Sequence, residues 1–164
     1  MPKIIILRGN SASGKSTVAK ALQQKIGHGT FLVSQDYVRR EMLWLQTGLH
    51  SQAIDLLENL IEYGFRHCEI TILEGILYSV TYDSLFRRIK ELFAYDIFAY
   101  YFDISFEETL IRHRQRPWAN EFDEAEMQKW WRANDFLSNI NEKIIIQDSS
   151  ITETVKRIYN NINE

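Results

Sequence analysis

The stretch "LRGNSASGKSTVAK", Leu7 to Lys20, decides how the rest of the chain is read. Within it, Gly9-Asn10-Ser11-Ala12-Ser13-Gly14-Lys15-Ser16 fits G-x-x-x-x-G-K-[ST], the pattern of a loop that cradles a phosphate chain. The apolar run Lys3–Leu7 precedes it and reads as a buried strand. Ser16–Ile26 follows and reads as a helix, with Gly27 suited to its C-terminal stop. That context is what the chemistry needs. Backbone N–H groups of residues 11–16 converge on the phosphates, and the helix N-terminus adds partial positive charge. Lys15 can reach the β- and γ-phosphates, the Ser16 hydroxyl can ligate Mg²⁺, and Thr17 completes the loop residues. The loop holds phosphates but does not say where the terminal one goes.

Four further apolar runs follow: Thr30–Ser34, Ile70–Leu73, Ile97–Phe102 and Lys143–Ile146. They are short and rich in β-branched and aromatic residues, as central strands of a parallel sheet are. Longer amphipathic stretches separate them. Asp36–Leu45 and Ser51–Arg66 read as helices, as do Tyr82–Phe93 and Glu124–Asn139. Ser105-Phe106-Glu107-Glu108 and Ser150-Ile151-Thr152-Glu153 both fit a capping box, each opening a further helix. Strands alternating with helices predict an α/β fold, a five-stranded parallel sheet with helices on both faces.

The 164 residues favour one domain, and 45% hydrophobic with 25% charged residues is ordinary for a globular chain. A net charge of −3 argues against a general nucleic-acid binder. Cys68 is the only cysteine, so no internal disulfide forms, which fits a cytoplasmic setting; it reads as a small buried apolar residue. No run approaches the roughly 18 apolar residues of a membrane span. Monomer and homodimer both remain open.

In open parallel sheets, ligands gather at the carboxyl ends of the strands. After the second run come Gln35, Asp36, Arg39 and Arg40. Asp36 and Arg39 share one face if helical. A carboxylate there can take a proton from an attacking hydroxyl, and an arginine beside it can steer an anion or stabilise a transferring phosphoryl group. A plain helix cap with solvated arginines is the other reading. After the third run, "ITILEG" ends in Glu74 and Gly75. An acid in that place holds Mg²⁺ through water, or caps the following turn. Tyr78 and Tyr82 follow and can line an acceptor pocket. The fourth run leads to a helix ending in "RHRQRP", with Arg112 and Arg116 one turn apart. Such arginines can fold over a triphosphate, or simply complement the helix C-terminus. Trp118, Trp130 and Trp131 surround this lid-like region and read mainly as packing residues.

Taken together, these motifs resemble the small P-loop kinases of the nucleoside-monophosphate-kinase type, over nearly the whole chain. More narrowly, the chain resembles the zeta-toxin, chloramphenicol-phosphotransferase and polynucleotide-kinase-like group, in which the loop is followed by a strand and Asp-x-x-Arg, here "QDYVRRE". The resemblance implies a sheet ordered 2-3-1-4-5, acceptor-binding helices over about 36–66 and a lid over about 112–124. It implies ATP as donor, Asp36 as the base that activates the acceptor hydroxyl, and Arg39 as an acceptor-site arginine. On this reading Lys15 and either Arg112 or Arg116 would act on the phosphates, Ser16 and Glu74 would stand on the metal side, and Arg40 and Tyr78 would stand near the substrate. The expected function is ATP-dependent phosphorylation of a hydroxyl on a small molecule such as a nucleoside, sugar or antibiotic. The alternatives are a polynucleotide 5′-hydroxyl kinase and a nucleotide-binding switch that transfers nothing.

Overall fold

A computed structural model describes residues 1–46 and 48–164. The apolar runs become strands β1 (Lys3–Gly9), β2 (Phe31–Ser34), β3 (Ile70–Gly75), β4 (Ile97–Asp103) and β5 (Glu142–Ile146). All pair in parallel, in the order β2-β3-β1-β4-β5. The helices are α1 (Lys15–Ile26), α2 (Gln35–Tyr37), α3 (Ser51–His67), α4 (Asp83–Phe93), α5 (Phe106–Arg114), α6 (Glu124–Trp130) and α7 (Ile151–Asn161). The fold is the predicted α/β sandwich.

Strand β1 lies at the centre, between β3 and β4, and Ile4, Ile5, Ile6 and Leu7 are fully buried. The period-2 alternation divides them between two cores. Ile4 and Ile6 join Leu57 and Ile61 of α3 and Leu85 and Ile89 of α4. Ile5 and Leu7 join Val18 and Leu22 of α1 and Ile158 of α7. Burying each such side chain contributes about 1.5–3 kcal/mol, so β1 is a firm base for the loop at its end. Helix α3 approaches β3 closely at Gly64, where a Cβ would stand 2.4 Å from Thr71 Oγ1.

Three elements differ from expectation. The predicted helix Glu124–Asn139 stops at Trp130. Trp131 is extended, and the backbone of Arg132 is claimed by the Asn10 side chain, so the helical ladder has competition. The stretch Asp36–Leu45 winds as α2 and then as one π-helical turn, Val38–Met42. The box at Ser105 forms by half: Ser105 Oγ accepts from the Glu108 N–H, but the Glu108 carboxylate binds Arg112 instead of reaching back. The box at Ser150–Glu153 forms in full. Cys68 caps α3 and is half-buried, outside both cores. Among the described residues, no helix is long and apolar enough to cross a membrane.

Candidate active site

The phosphate loop leaves β1 at Gly9 and enters α1 at Lys15. Gly9 has φ +148°, and a Cβ there would lie 2.9 Å from the Phe102 carbonyl oxygen. Only glycine fits so close to β4. Gly14 is left-handed at φ +98° and caps α1. Lys15 is folded back onto the loop. Its Nζ donates to the Asn10 carbonyl at 2.6 Å and the Ser13 hydroxyl at 3.1 Å. Burial lowers its pKa from 10.5 to about 8, against the pull of Glu74. Ser16 Oγ donates to Glu74 Oε2 at 3.1 Å, so the strand-end acid of β3 meets the first turn of α1. A Mg²⁺ here would be held by the Ser16 hydroxyl directly and by the Glu74 carboxylate through water. Among the described residues no group of three or more His, Cys, Asp or Glu could hold a metal alone; the remaining ligands would be phosphate oxygens and water.

A cavity of about 320 Å³ opens against this loop. Ser11, Ala12, Gly14, Lys15 and Ser16 line one part; Asp36, Arg39, Arg40, Glu74, Tyr78 and Arg116 also face it. Gly9, Asn10 and Ser13 support the loop from behind, and Thr17 is exposed. Asp36 has a half-exposed side chain and pairs loosely with Arg39 at 3.4 Å and Arg40 at 3.5 Å. Arg40 also reaches Glu121 at 3.2 Å, joining the segment after β2 to the segment after α5. Arg39 is mostly buried, and its Nε has no partner among the described residues.

The two arginines of "RHRQRP" separate. Arg112 lies behind the loop, donating to Ser13 O and Gln147 O at 3.1 Å each and pairing with Glu108 at 2.9 Å. Arg116 enters the cavity. Burial lowers its pKa, while Glu74 and Asp36 act in the opposite direction. His113 donates to the carbonyls of Ala119 and Phe122, at 3.0 Å each, and stacks on Phe122, so it folds the segment carrying Arg116. Trp118 and Trp130 line the cavity, whereas Trp131 packs edge-on against Phe106.

Sequence reasoning missed the group that braces this site. Arg8 is fully buried. It binds Glu142 at 2.8 Å, Asp135 at 3.0 Å and the Leu77 carbonyl at 3.1 Å, with Phe86 and Tyr101 rings at 5.3 and 5.6 Å. Asp135 in turn accepts from the Ser79 N–H and hydroxyl. Asn10 exchanges two hydrogen bonds with the Arg132 backbone, at 2.7 and 2.9 Å, and Tyr78 donates to the Trp130 carbonyl at 2.6 Å. The residues following α6 are thereby tied to β1, the phosphate loop and the turn after β3. A signal for Arg8 existed. It shares the face of Ile4 and Ile6 in a central strand, so its charge had to be buried and matched by acids.

The sheet order and the loop define a P-loop protein of kinase-like architecture. The family described as "AAA domain" matches residues 4–137, and the chain belongs to that family. No curated protein matches it. Among solved structures, the Mycobacterium tuberculosis APS kinase CysC, in complex with AMPPNP and APS, is similar over 99% of this chain and 98% of its own, at 18% identity and a TM-score of 0.73. A gluconokinase from Sinorhizobium meliloti 1021 is similar over 99% and 92%, at 16% identity and a TM-score of 0.69. The Pnkp1/Rnl/Hen1 RNA repair complex matches over 78% of this chain and 42% of its own, at 20% identity and a TM-score of 0.61. At these identities the likeness is one of fold.

Proposed function

We propose that the protein is an ATP-dependent phosphotransferase that moves the γ-phosphoryl group to a hydroxyl of a small molecule. The observation that carries this reading is a single cavity shared by the phosphate loop and a second set of groups, Asp36, Arg39, Arg40 and Tyr78. Holding a phosphate chain does not require that second set, which suits an acceptor placed beside the γ-phosphate. The chain's net charge of −3 favours a small acceptor over a nucleic acid end.

In this reading Lys15 holds the β- and γ-phosphate oxygens. Asp36 takes the acceptor proton as the hydroxyl oxygen bonds to the γ-phosphorus. The bond to the β–γ bridging oxygen breaks, and ADP leaves. Arg116 neutralises charge on the transferring group. Arg112, bound to Ser13, fixes the loop from outside. Mg²⁺, held by Ser16 and through water by Glu74, supplies charge neutralisation on the phosphate oxygens when bound. Residues of about 36–66 form the acceptor wall and about 112–124 the lid of one P-loop kinase domain. A nucleotide donor and a lone thiol suit the cytoplasm. The reaction asks the protein mainly for positioning and charge stabilisation.

The test is an ATP-consumption screen over nucleosides, sugars, amino sugars and antibiotics, followed by Asp36→Asn. Loss of a general base lowers kcat by about 10²–10⁴, with ATP affinity unchanged. Unaltered turnover removes Asp36 from the base role. ATP binding without consumption across the panel favours the switch.

A further inference from the structure

Gln35, Tyr82 and His50 form a chain of hydrogen bonds that phosphoryl transfer, as described above, does not use. Tyr82 is fully buried and Gln35 nearly so. Gln35 Nε2 lies 2.8 Å from the Tyr82 hydroxyl. An amide nitrogen only donates, so the phenol oxygen accepts there. The phenol has one proton to give, and its other partner is His50 Nδ1 at 2.6 Å. With that proton placed on the bond to His50, Nδ1 is the acceptor and the neutral ring carries its own proton on Nε2. The surroundings hold it neutral. Burial and the Arg39 guanidinium both lower the His50 pKa. Tyr78 meets the ring edge-on at 6.5 Å, with its own hydroxyl committed to Trp130 O. His50 lines the cavity, and its Nε2 has no partner among the described residues.

We propose that His50 determines acceptor specificity: its Nε2–H, fixed by Tyr82 and Gln35, donates to an oxygen of the acceptor and admits no ammonium group at that point. This rests on the phosphotransfer reading. The oxygen is a hydroxyl, carbonyl or carboxylate, and the nearby Arg39 charge favours the same choice. Gln35 directly precedes Asp36, so the relay ties this donor to the proposed base. Gly75 leaves it room: a Cβ there would lie 2.7 Å from Gln35 Cβ.

Two substitutions separate a donor from a packing residue. His50→Asn keeps an acceptor for Tyr82 but has nothing at the Nε2 position. His50→Gln restores an N–H near that position and gives up the Tyr82 partner. The probe is the compound of the screened panel that wild-type protein phosphorylates. The expected result is a KM for that compound raised about tenfold by Asn, with kcat nearly unchanged, and largely recovered by Gln. A wild-type KM in the Asn variant overturns the proposal, as does equal damage by both variants. Ring-nitrogen NMR of ¹⁵N-histidine protein needs no turnover. It should show His50 protonated on Nε2 alone at pH 7, and a tautomer mixture in Tyr82→Phe. A proton on Nδ1 overturns the proposal whatever the kinase assay gives. The expected tautomer without ATP consumption by any acceptor overturns the phosphotransfer reading, and the acceptor role with it.

Discussion

Replacing Lys15 with methionine removes the charge that the phosphate loop buries and leaves its stem. Lys15 is 6% exposed, and burial holds its pKa near 8, against 10.5 in an open chain. The unfolded state therefore binds its proton more tightly than the folded one. Below pH 8 the folded state bears the whole cost, about 3 kcal/mol, and the cost fades as pH rises towards 10.5. Methionine also gives up the bonds to Asn10 O and Ser13 Oγ, each contributing about 0.5–1.5 kcal/mol. The balance is a gain of about 1 kcal/mol at pH 7, or about 3 °C in Tm for a domain of this size. Calorimetry of nucleotide-free protein at pH 7 and pH 9.5, with ATP titrated in parallel, reads both halves. The variant should melt higher at pH 7, lose that gain at pH 9.5, and show no rise in Tm with ATP, where wild type rises. A variant less stable at pH 7, or a gain indifferent to pH, would refute the argument that the loop stores unfavourable burial for a ligand to relieve.

Arg8→Met strands Glu142, whose side chain is 2% exposed, and Asp135 behind the site. Breaking one side of a buried pair costs about 3–5 kcal/mol, so thermal melting should fall by about 9–15 °C. Arg8→Met/Glu142→Leu should recover part of that loss in the same melt. Gly64→Ala drives a methyl into Thr71 Oγ1 at 2.4 Å, and urea unfolding should register a loss of about 1–3 kcal/mol.

What the sequence made legible was whatever is local. The glycine spacing of the loop, the serine caps and the alternation of apolar runs act over a few residues and do not depend on the rest of the fold. The strand-end position of Glu74 followed from the same logic, because parallel strands deliver their last residues to one edge. What stayed hidden is held by distant partners. Arg8 finds its acids 127 and 134 residues away. The predicted helix 124–139 ends at Trp130, just before Arg132, whose N–H and carbonyl are both taken by the Asn10 side chain. Arg112 and Arg116 share a helical face in sequence. Pro117 and the His113 contacts to Ala119 and Phe122 turn the chain between them, so one braces the loop while the other enters the cavity.

The Asn10 amide meets the Arg132 backbone with one donor and one acceptor, as a peptide group in a neighbouring strand would. Strand β1 thus gains one more rung past its own end, written by a side chain. Few residues can imitate a peptide unit at that reach: aspartate lacks the donor, serine is too short, and glutamine is one methylene too long. The first variable position of the phosphate loop is therefore not free in this chain. Its identity is spelled by the path of the polypeptide 122 residues later, and any change to the segment after α6 rewrites what the loop can tolerate at residue 10.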